Sequence, residues 1–341
     1  MLLTRQDAQP ALALLQHAPC VRCICHRNPD GDAIGSLLGI GLLIEQWGPQ
    51  REVSVHCVDP VPEMFHFLPG AFRIQPPPPG PLPQRGGGEW SGEDVIVFVD
   101  CAEPKLTEMH ETHPELFDGT FKTIVIDHHH ANPHFGTVNF VFPEAASTCE
   151  IIVALASALA RPLTSDIATC LLTGVYTDTG GLLHSNTSAN VYRTVAHLLR
   201  AGARRQEVIT AVFRSAKLST LQLWGRVLEK ITLTEEGGAI SAVTEGDFRA
   251  TGADYSELTG AIDYVNAIPG MRFSLILSER AGNVKGSLRT MRDDVDVSAM
   301  AGKFHGGGHR KAAGFALPGK LKPEVRWKVV DGEKLEEETN R

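Results

Sequence analysis

One stretch near the N-terminus joins an apolar segment, a polar turn and the start of a second apolar segment: Val21-Arg22-Cys23-Ile24-Cys25-His26-Arg27-Asn28-Pro29-Asp30-Gly31-Asp32-Ala33-Ile34-Gly35-Ser36. The β-branched and sulfur-containing residues at its start predict a buried strand over 21–26. The small and aliphatic residues after the turn predict a helix over 33–47. A buried strand that runs into a helix is the repeating unit of a parallel sheet covered by helices.

The same alternation continues through the first half of the chain. It predicts further strands over 52–58, 95–100 and 123–127, and helices over 148–160, 166–176 and 189–200. We therefore expect an α/β fold in which a parallel-sheet domain carries helices on both faces. After a helical stretch over 204–231, strand-like segments alternate with helices, which predicts a smaller α+β domain. The strand-like segments are 239–243, 273–278 and 284–289, and the helices are 258–267 and 297–304.

These patterns divide the chain into a first domain over 1–205, a helical connector over 206–232, a second domain over 233–320 and a charged tail over 321–341. The segment 75–88 is rich in proline and glycine. Because proline removes backbone donors and glycine adds backbone entropy, we expect an exposed loop inserted between two strands of the first sheet. A ligand for an SH3-type domain is the less favoured interpretation of this loop.

The composition excludes several classes of protein. Of the 341 residues, 43% are hydrophobic and 21% are charged, which excludes disorder over the whole chain. No apolar run is long enough to cross a bilayer, and the first residues meet charge too early for a signal peptide, so we expect a cytoplasmic protein. The cysteines lie mostly inside apolar runs, as expected for reduced core residues. The formal net charge of −8 argues against a general binder of duplex nucleic acid.

Acidic and histidine residues follow three of the predicted strands and one predicted helix. They are His26, Asp30 and Asp32 after the first strand, Asp100 after the third, Asp127, His128, His129 and His130 after the fourth, and Asp178 after the helix over 166–176. Because ligands bind at the carboxyl ends of parallel strands, we expect these side chains to converge on one crevice. Carboxylates that share a crevice repel each other, and divalent cations are the simplest way to stabilise them.

The residue types in this set indicate which metal the crevice would hold. Carboxylates with a minority of imidazoles, and no set of thiolates, suit manganese or a similar divalent ion. The acids outnumber what one ion needs, which favours two ions. In a two-metal site a hydroxide that bridges the two ions is a strong nucleophile toward phosphate esters at neutral pH.

Some of the same residues also have local structural explanations. Asp32 could be the N-cap of the helix that begins at Ala33. The sequence Ser147-Thr148-Cys149-Glu150 matches a capping box, which needs no functional role. Three glycines of the first helix predict close packing of that helix on a strand; they are Gly35, Gly39 and Gly41.

The motifs resemble those of the DHH phosphoesterase superfamily. His26-x-x-x-Asp30-x-Asp32 is similar to its first motif, Asp100 to its second, Asp127-His128-His129 to its third and Asp178 to its fourth. The sequence Gly306-Gly307-Gly308-His309-Arg310-Lys311 resembles the glycine-rich motif of the DHH-associated C-terminal domain. The sequences over 177–180, 184–187 and 284–289 are most similar to the Nrn-type nanoRNases, which are bifunctional oligoribonucleases and 3′-phosphoadenosine 5′-phosphate phosphatases.

The resemblance implies a role for each residue of the first domain. One ion would be held by His26, Asp30 and Asp100, and the other by Asp32, Asp100, His128 and Asp178, with Asp100 as the bridge. Asp127 would orient a neighbouring imidazole. His129 would contact the scissile phosphate or donate a proton to the leaving oxygen. The resemblance leaves the role of His130 open.

In the second domain the resemblance implies a phosphate clamp. Backbone donors of the glycine motif would approach phosphate closely, while arginine offers a bidentate fork. The residues that would contact substrate are Ser287, Arg289, Gly306, Gly307, Gly308, His309 and Arg310. A glycine-rich turn beside a solvated basic stretch is the structural alternative.

Together these observations predict a manganese-dependent phosphodiesterase with two ions, for which Mg²⁺ or Co²⁺ could substitute. We expect it to degrade very short RNA to mononucleotides and to remove the 3′-phosphate of 3′-phosphoadenosine 5′-phosphate, by hydroxide attack. The alternative is a phosphodiesterase for c-di-AMP or linear pApA. A pyrophosphatase and a non-catalytic nucleotide sensor are less favoured, the sensor because the set of ligands is complete. The sequence is compatible with a homodimer and predicts no membrane partner.

Overall fold

A computed structural model describes residues 2–48, 51–79 and 90–323. The chain divides into two compact units, unit 1 up to Ser215 and unit 2 from Ala216. This division falls inside the helical connector predicted over 206–232, whose own limits stay a prediction. Positions 80–88 of the proline- and glycine-rich loop and 324–341 of the charged tail lie outside the described residues. In the part described, no helix is long and apolar enough to cross a membrane.

Unit 1 begins with a helix, a strand and a second helix, continues with five strands between which the described residues form 3₁₀ helices but no α-helix, and ends with helices alone. Its strands are β1 (Cys20–Ile24), β2 (Glu52–His56), β3 (Ile74–Gln75), β4 (Val95–Val99), β5 (Lys122–Asp127) and β6 (Val138–Val141). Its helices are α1 (Arg5–His17), α2 (Gly31–Trp47), α3 (Thr148–Ala158), α4 (Ser165–Asp178), α5 (Ala189–Arg200) and α6 (Arg205–Phe213).

The strands of unit 1 form one parallel sheet, which confirms the predicted α/β fold. Across the described residues the strand order is β3-β2-β1-β4-β5-β6, and every neighbouring pair is parallel. Val21 of β1 pairs with Val53 of β2 on one side and with Val95 of β4 on the other. Because all strands run the same way, their carboxyl ends lie along a single edge of the sheet.

The two faces of this sheet are covered by different structures. One face packs against the α-helices and forms the larger hydrophobic core. The other face packs against Trp90 and against the segment from Cys101 to Phe121, which contains two 3₁₀ helices, Pro104–Thr107 and Pro114–Leu116. Both faces are therefore apolar, as a central parallel sheet requires.

Close packing of α2 against α4 depends on glycine. A Cβ added at Gly35 would lie 2.5 Å from the carbonyl oxygen of Cys170, and one added at Gly39 would lie 2.5 Å from Leu171 Cδ2. Of the glycines predicted to pack on a strand, only Gly41 does so, because its added Cβ would lie 3.1 Å from Val55 Cγ1. The prediction was wrong for Gly35 and Gly39, which let two helices approach instead.

Unit 2 is an α+β structure around a second sheet. Its helices are α7 (Leu218–Glu229), α8 (Glu245–Thr251), α9 (Ala261–Asn266) and α10 (Val297–Gly302). Its strands are β7 (Thr232–Leu233), β8 (Gly238–Val243), β9 (Phe273–Arg280), β10 (Asn283–Arg289), β11 (Gly307–His309) and β12 (Ala312–Pro318). Within the described residues they lie in the order β11-β12-β10-β9-β8-β7, and the pairs are antiparallel except for β8 with β9.

Several predicted elements differ from the structure in extent or number. The helical stretch predicted over 204–231 is two helices, α6 and α7, and the helix predicted over 258–267 is broken at Gly260, which has a φ of +92°. Short edge strands such as β3 and β6 were not predicted, because two to four residues carry too little alternation to be recognised. The cysteines are all in the described part of the chain; they are free, and all but Cys20 are buried, as predicted for reduced core residues.

We predict that Gly174→Ala destabilises unit 1 by about 1–3 kcal/mol, the usual cost of adding a methyl group to a full core. The new Cβ would collide with Cys149 Sγ and would lie 2.5 Å from Oδ1 and 3.0 Å from Cα of Asp32. Gly225→Ala in α7 is the matched control, since no atom lies within 4 Å of its added Cβ. It should stabilise the protein by about 0.5–1 kcal/mol. Urea unfolding measures both, and an unchanged midpoint for Gly174→Ala would contradict the packing argument.

Candidate metal centre

The carboxyl edge of the sheet in unit 1 carries the predicted metal-ligating side chains. Three of them follow strands, and the others lie at the ends of helices that point toward the same edge. The side chains are His26 after β1, Asp30 and Asp32 at the start of α2, Asp100 after β4, His128 after β5 and Asp178 at the end of α4. The structure brings all of them together.

The ligand atoms of these residues form groups in which all atoms lie within 4.8 Å of one another. His26 Nε2 lies 3.4 Å from Oδ2 of Asp100. His128 Nε2 lies 3.7 Å from Oδ1 of Asp100 and 3.3 Å from Oδ2 of Asp178. Asp100 thus faces imidazoles on both of its oxygens. The groups are His26, Asp30 and Asp100; Asp32, His128 and Asp178; and Asp100, His128 and His129.

The carboxylate of Asp32 is fully buried and is held by the start of α3. It accepts hydrogen bonds from the backbone amides of Thr148 (2.6 Å) and Cys149 (3.1 Å). The positive end of a helix dipole stabilises a negative group at this position. The interpretation of Asp32 as an N-cap was wrong: Asp30 caps α2, and its Oδ1 accepts from the amides of Asp32 and Ala33, both at 3.0 Å.

Asp100 lies in a strained backbone conformation. Its φ is +56°, in the left-handed region that non-glycine residues rarely adopt. Its Oδ1 also accepts a hydrogen bond from the hydroxyl of Thr148 at 3.0 Å. Strain of this kind persists where the surrounding structure fixes a side chain for function, and here it turns the carboxylate toward His26 and His128.

Asp127 bonds to the imidazole of His129 and belongs to none of the ligand groups. Its Oδ1 accepts from the backbone amide of His128 at 2.9 Å and lies 2.8 Å from Nδ1 of His129. Its Oδ2 accepts from Nδ2 of Asn132 at 2.7 Å. A carboxylate that accepts from Nδ1 of a histidine fixes the orientation and the tautomer of the ring.

The charges of the site shift the pKa values of its carboxyl groups in opposite directions. Burial and the neighbouring carboxylates Asp100 and Asp30 hold the pKa of Asp32 well above its usual value. Burial opposes ionisation of Asp100 too, but the hydrogen bond from His26 and the nearby imidazoles lower the pKa of that carboxyl. Burial would lower the pKa of His26, yet its contacts with Asp100 raise it to about 10. Likewise the bond to Asp127 outweighs burial and raises the pKa of His129 to about 9.

The donor set fits divalent cations. Carboxylate oxygens in the majority with a minority of imidazole nitrogens are the ligands of Mn²⁺, Mg²⁺ and similar ions. Thiols do not compete, because burial raises the pKa of Cys101 and of Cys149 well above the usual value and keeps both thiols protonated. Bound cations would also offset the repulsion that raises the pKa of Asp32.

Two residues of the centre were missed by the sequence analysis, Thr148 and Asn132. The capping box predicted at 147–150 is present in part, and the expectation that the motif has no further role was wrong, because Thr148 bonds to Asp32 and to Asp100. Ser147 does cap α3 by accepting from the amide of Glu150, but the Glu150 carboxylate accepts from the amide of Ala146. Thr148 donates hydrogen bonds to the carboxylates of Asp32 and Asp100, and nothing in the spacing of the motif predicts these contacts.

In unit 2 the predicted substrate residues lie mainly on one side of the sheet. Ser287 pairs with Gly314, which pairs with Gly307; Arg289 pairs with Ala312, which pairs with His309. Residues that pair directly across neighbouring strands share a face of the sheet. Ser287, Arg289, Gly307 and His309 therefore lie on the same face. Arg289 is half-buried, and its partial burial lowers the pKa of its guanidinium.

The glycine motif has a structural explanation at two of its three positions. A Cβ at Gly306 would collide with the carbonyl oxygen of Gly314, and one at Gly308 would lie 2.6 Å from that of Ala312. Gly307 has no atom within 4 Å of an added Cβ, so packing does not account for it. Arg310 lies in the hairpin turn, where its Nη2 donates to the carbonyl oxygen of Asp293 at 2.8 Å.

Carboxylates and imidazoles clustered at the carboxyl ends of parallel strands can bind divalent cations, and such cations can activate water for hydrolysis. Comparison with known families agrees. The model of the DHH family, N-terminal domain, matches residues 21–175, and the model of the DHHA1 domain matches residues 237–332. The chain belongs to the DHH family and is a hydrolase of phosphate esters.

Individual relatives resemble the chain over most of its length. The bifunctional oligoribonuclease and PAP phosphatase NrnA of Thermus thermophilus is 34% identical over 298 residues, which cover 86% of this chain and 83% of that protein. The cyclic-di-AMP phosphodiesterase PdeA of Listeria monocytogenes is 24% identical over 92% of this chain, but only 47% of PdeA is covered. The crystal structure of an exopolyphosphatase-related protein from Bacteroides fragilis has the same fold, with a TM-score of 0.81, 23% identity and coverage of 94% and 93%.

The metal-free protein should lose stability as the pH rises from 6.5 toward 10. The folded protein binds the protons of His26 and His129 more tightly than the unfolded chain, because their pKa values rise from 6.5 to about 10 and about 9. Their contribution to stability is fully present below pH 6.5 and is lost as the pH passes the raised values. Urea unfolding in the presence of a chelator measures it. Asp100→Asn should flatten the dependence, and a flat curve for the unmodified protein would contradict it.

Proposed function

We propose that this chain is a metal-dependent phosphodiesterase that releases mononucleotides from RNA a few nucleotides long. We propose that the same site removes the 3′-phosphate of 3′-phosphoadenosine 5′-phosphate. The observation that carries the proposal is that Asp100 belongs to ligand groups on both of its sides. The name of the Thermus thermophilus relative, an oligoribonuclease and PAP phosphatase, supports this choice of substrates.

The proposed ligands follow from the groups of atoms. His26, Asp30 and Asp100 would hold one divalent ion, and Asp100 together with three further residues would hold the other. Mn²⁺ is our first choice of ion, with Mg²⁺ or Co²⁺ as substitutes. The three further ligands of the second ion are Asp32, His128 and Asp178. When bound, the ions would lower the pKa of water and offset negative charge on the phosphoryl group.

His129 is the proposed proton donor to the leaving oxygen. Its Nδ1 lies 2.8 Å from Asp127 and 3.7 Å from Oδ1 of Asp100, so the ring lies beside the proposed metal ligands Asp100 and His128. With Nδ1 directed at Asp127, the proton that the ring transfers is the one on Nε2. Departure of an alkoxide without a proton is slow, and a positioned acid typically accelerates such a step about 10²- to 10⁴-fold.

We propose that unit 2 carries residues that bind a phosphate group of the substrate. Ser287, Arg289, Gly307 and His309 share one side of the sheet, and a guanidinium there can bind phosphate through two parallel hydrogen bonds. A local cationic group on a chain with a net charge of −8 suits a short substrate better than a long duplex. Free thiols throughout the described chain support our proposal of a cytoplasmic enzyme.

A panel of substrates tests the proposal. With Mn²⁺, the protein should hydrolyse short oligoribonucleotides and 3′-phosphoadenosine 5′-phosphate faster than c-di-AMP or pApA, and a chelator should abolish all turnover. Faster turnover of the dinucleotides would favour the alternative, for which the similarity to PdeA is the observation. No turnover of any of these compounds, beside an active control enzyme, would refute the proposal.

Asp100→Ala should reduce kcat/KM at least about 10³-fold, because it removes a carboxylate from both proposed sites. Calorimetric titration with Mn²⁺ should show weaker binding, and circular dichroism should show an intact fold. Asp118→Ala is the matched control, since Asp118 is an exposed carboxylate of the same unit that accepts from the amide of Thr120. Retained activity in Asp100→Ala would contradict the bridging role.

Arg289→Ala should raise KM for substrates with a terminal phosphate about 10- to 100-fold, which corresponds to the ~1.5–3 kcal/mol of a hydrogen bond to a charged group. The value of kcat should change much less, because Arg289 is proposed to bind substrate and belongs to none of the ligand groups that would hold the ions. Arg226→Ala, which removes an exposed arginine paired with Glu229, is the control. An unchanged KM in Arg289→Ala would remove this residue from the substrate site.

A further inference from the structure

We propose that Asn132 is a positioning residue for the proton transfer by His129, acting through Asp127. This inference rests on the proposed function, in which His129 is the proton donor. Asn132 follows the Asp127-His128-His129 motif, and its side-chain amide bonds to the Asp127 carboxylate and to backbone groups. Its side chain is buried, with 7% of its surface exposed.

The amide of Asn132 uses all of its bonding groups on this corner of the site. Nδ2 donates to Oδ2 of Asp127 at 2.7 Å and to the carbonyl oxygen of Cys101 at 3.0 Å. Oδ1 accepts from the backbone amide of His134 at 2.8 Å. The side chain therefore ties the segment after Asp100 to the carboxylate that holds His129.

The two oxygens of Asp127 have separate partners, and this separation fixes the plane of the carboxylate. Oδ1 receives the amide of His128 and faces Nδ1 of His129, while Oδ2 receives Asn132. Without the bond to Oδ2, the carboxylate can rotate and leave a buried oxygen without a donor. Rotation would misalign the ring of His129, and reorientation of a catalytic group by a small angle is enough to slow a reaction.

Asn132→Asp separates this role from a structural one. An aspartate keeps an oxygen that can accept from the amide of His134 and so preserves the turn, but it puts a charged acceptor, which repels the Asp127 carboxylate, where Nδ2 donates to Asp127 and to Cys101. Asn132→Ala removes all three bonds. Asn139→Ala is the matched control, because Asn139 of β6 also bonds to backbone, through the amide and carbonyl of Gly136, but lies outside the proposed machinery.

The test compares two substrates that differ in their need for a proton. A dinucleotide releases an alkoxide, whereas the p-nitrophenyl ester of a nucleoside 5′-phosphate releases nitrophenolate, which needs no proton. Both Asn132 variants should lower kcat on the dinucleotide about 10- to 100-fold, the usual cost of losing such a supporting partner. Their kcat on the nitrophenyl ester should stay within about 3-fold, and KM should change little, because no substrate contact is lost.

A second readout does not depend on activity. In metal-free protein labelled with ¹⁵N-histidine, the proton on His129 Nδ1 that bonds to Asp127 should give a downfield resonance, assigned by its absence in His129→Gln. The resonance should shift or broaden in both Asn132 variants and stay in place in Asn139→Ala.

The outcomes separate this inference from the proposed function. If the unmodified protein cleaves neither the dinucleotide nor the nitrophenyl ester, the proposed function fails. If it cleaves both and the Asn132 variants lose kcat equally on both, the residue is only structural and the inference is overturned. Unchanged kcat on the dinucleotide, or an unmoved resonance, overturns it as well.

Discussion

Mutual repulsion among carboxylates gathered at one sheet edge is the constraint on which the rest of unit 1 depends. Asp32 and Asp100 are buried, and Asp178 lies close to both through the imidazole of His128. Burial of unpaired charges is costly unless hydrogen bonds and opposite charges offset it. Two kinds of group offset the negative charge of these carboxylates, the backbone amides at the start of α3 and the imidazoles of the histidines. Cations held by the ligand groups would offset the charge further.

The backbone is adapted to this cluster at the points where the ligands stand. The left-handed conformation of Asp100 turns its carboxylate across the sheet edge. The glycines between α2 and α4 let the helix ends that carry Asp32 and Asp178 approach each other, and Gly174 in particular leaves room for Asp32 itself. Strain and close packing at this edge are balanced by two large hydrophobic clusters on the faces of the sheet.

The supporting contacts of the site come from two different directions. At the start of α3, Thr148 bonds to the carboxylates of Asp32 and Asp100, whereas Asp127 at the end of β5 bonds to the imidazole of His129 and is itself held by Asn132. These contacts divide the work between charge stabilisation and orientation, and a hydrolytic site needs both. In the glycine motif of unit 2, Gly306 and Gly308 are required by close packing against neighbouring backbone, whereas an added Cβ at Gly307 would meet no atom within 4 Å.

The sequence by itself determined the parallel α/β fold, the positions of the main strands along the chain and the residues that end them, because buried strands and the polar residues at their ends are local patterns. It therefore predicted which acids and histidines would meet, although not that Asp30, rather than Asp32, caps α2. Tertiary structure alone decided that Thr148 bonds to Asp32 and Asp100, and that Asn132 reaches both Asp127 and Cys101. Those contacts join residues far apart in the chain or depend on the angle of a side chain, and no periodicity records either one. The split of the glycines between helix packing and strand packing is likewise a matter of which backbone lies opposite, which only the folded chain defines.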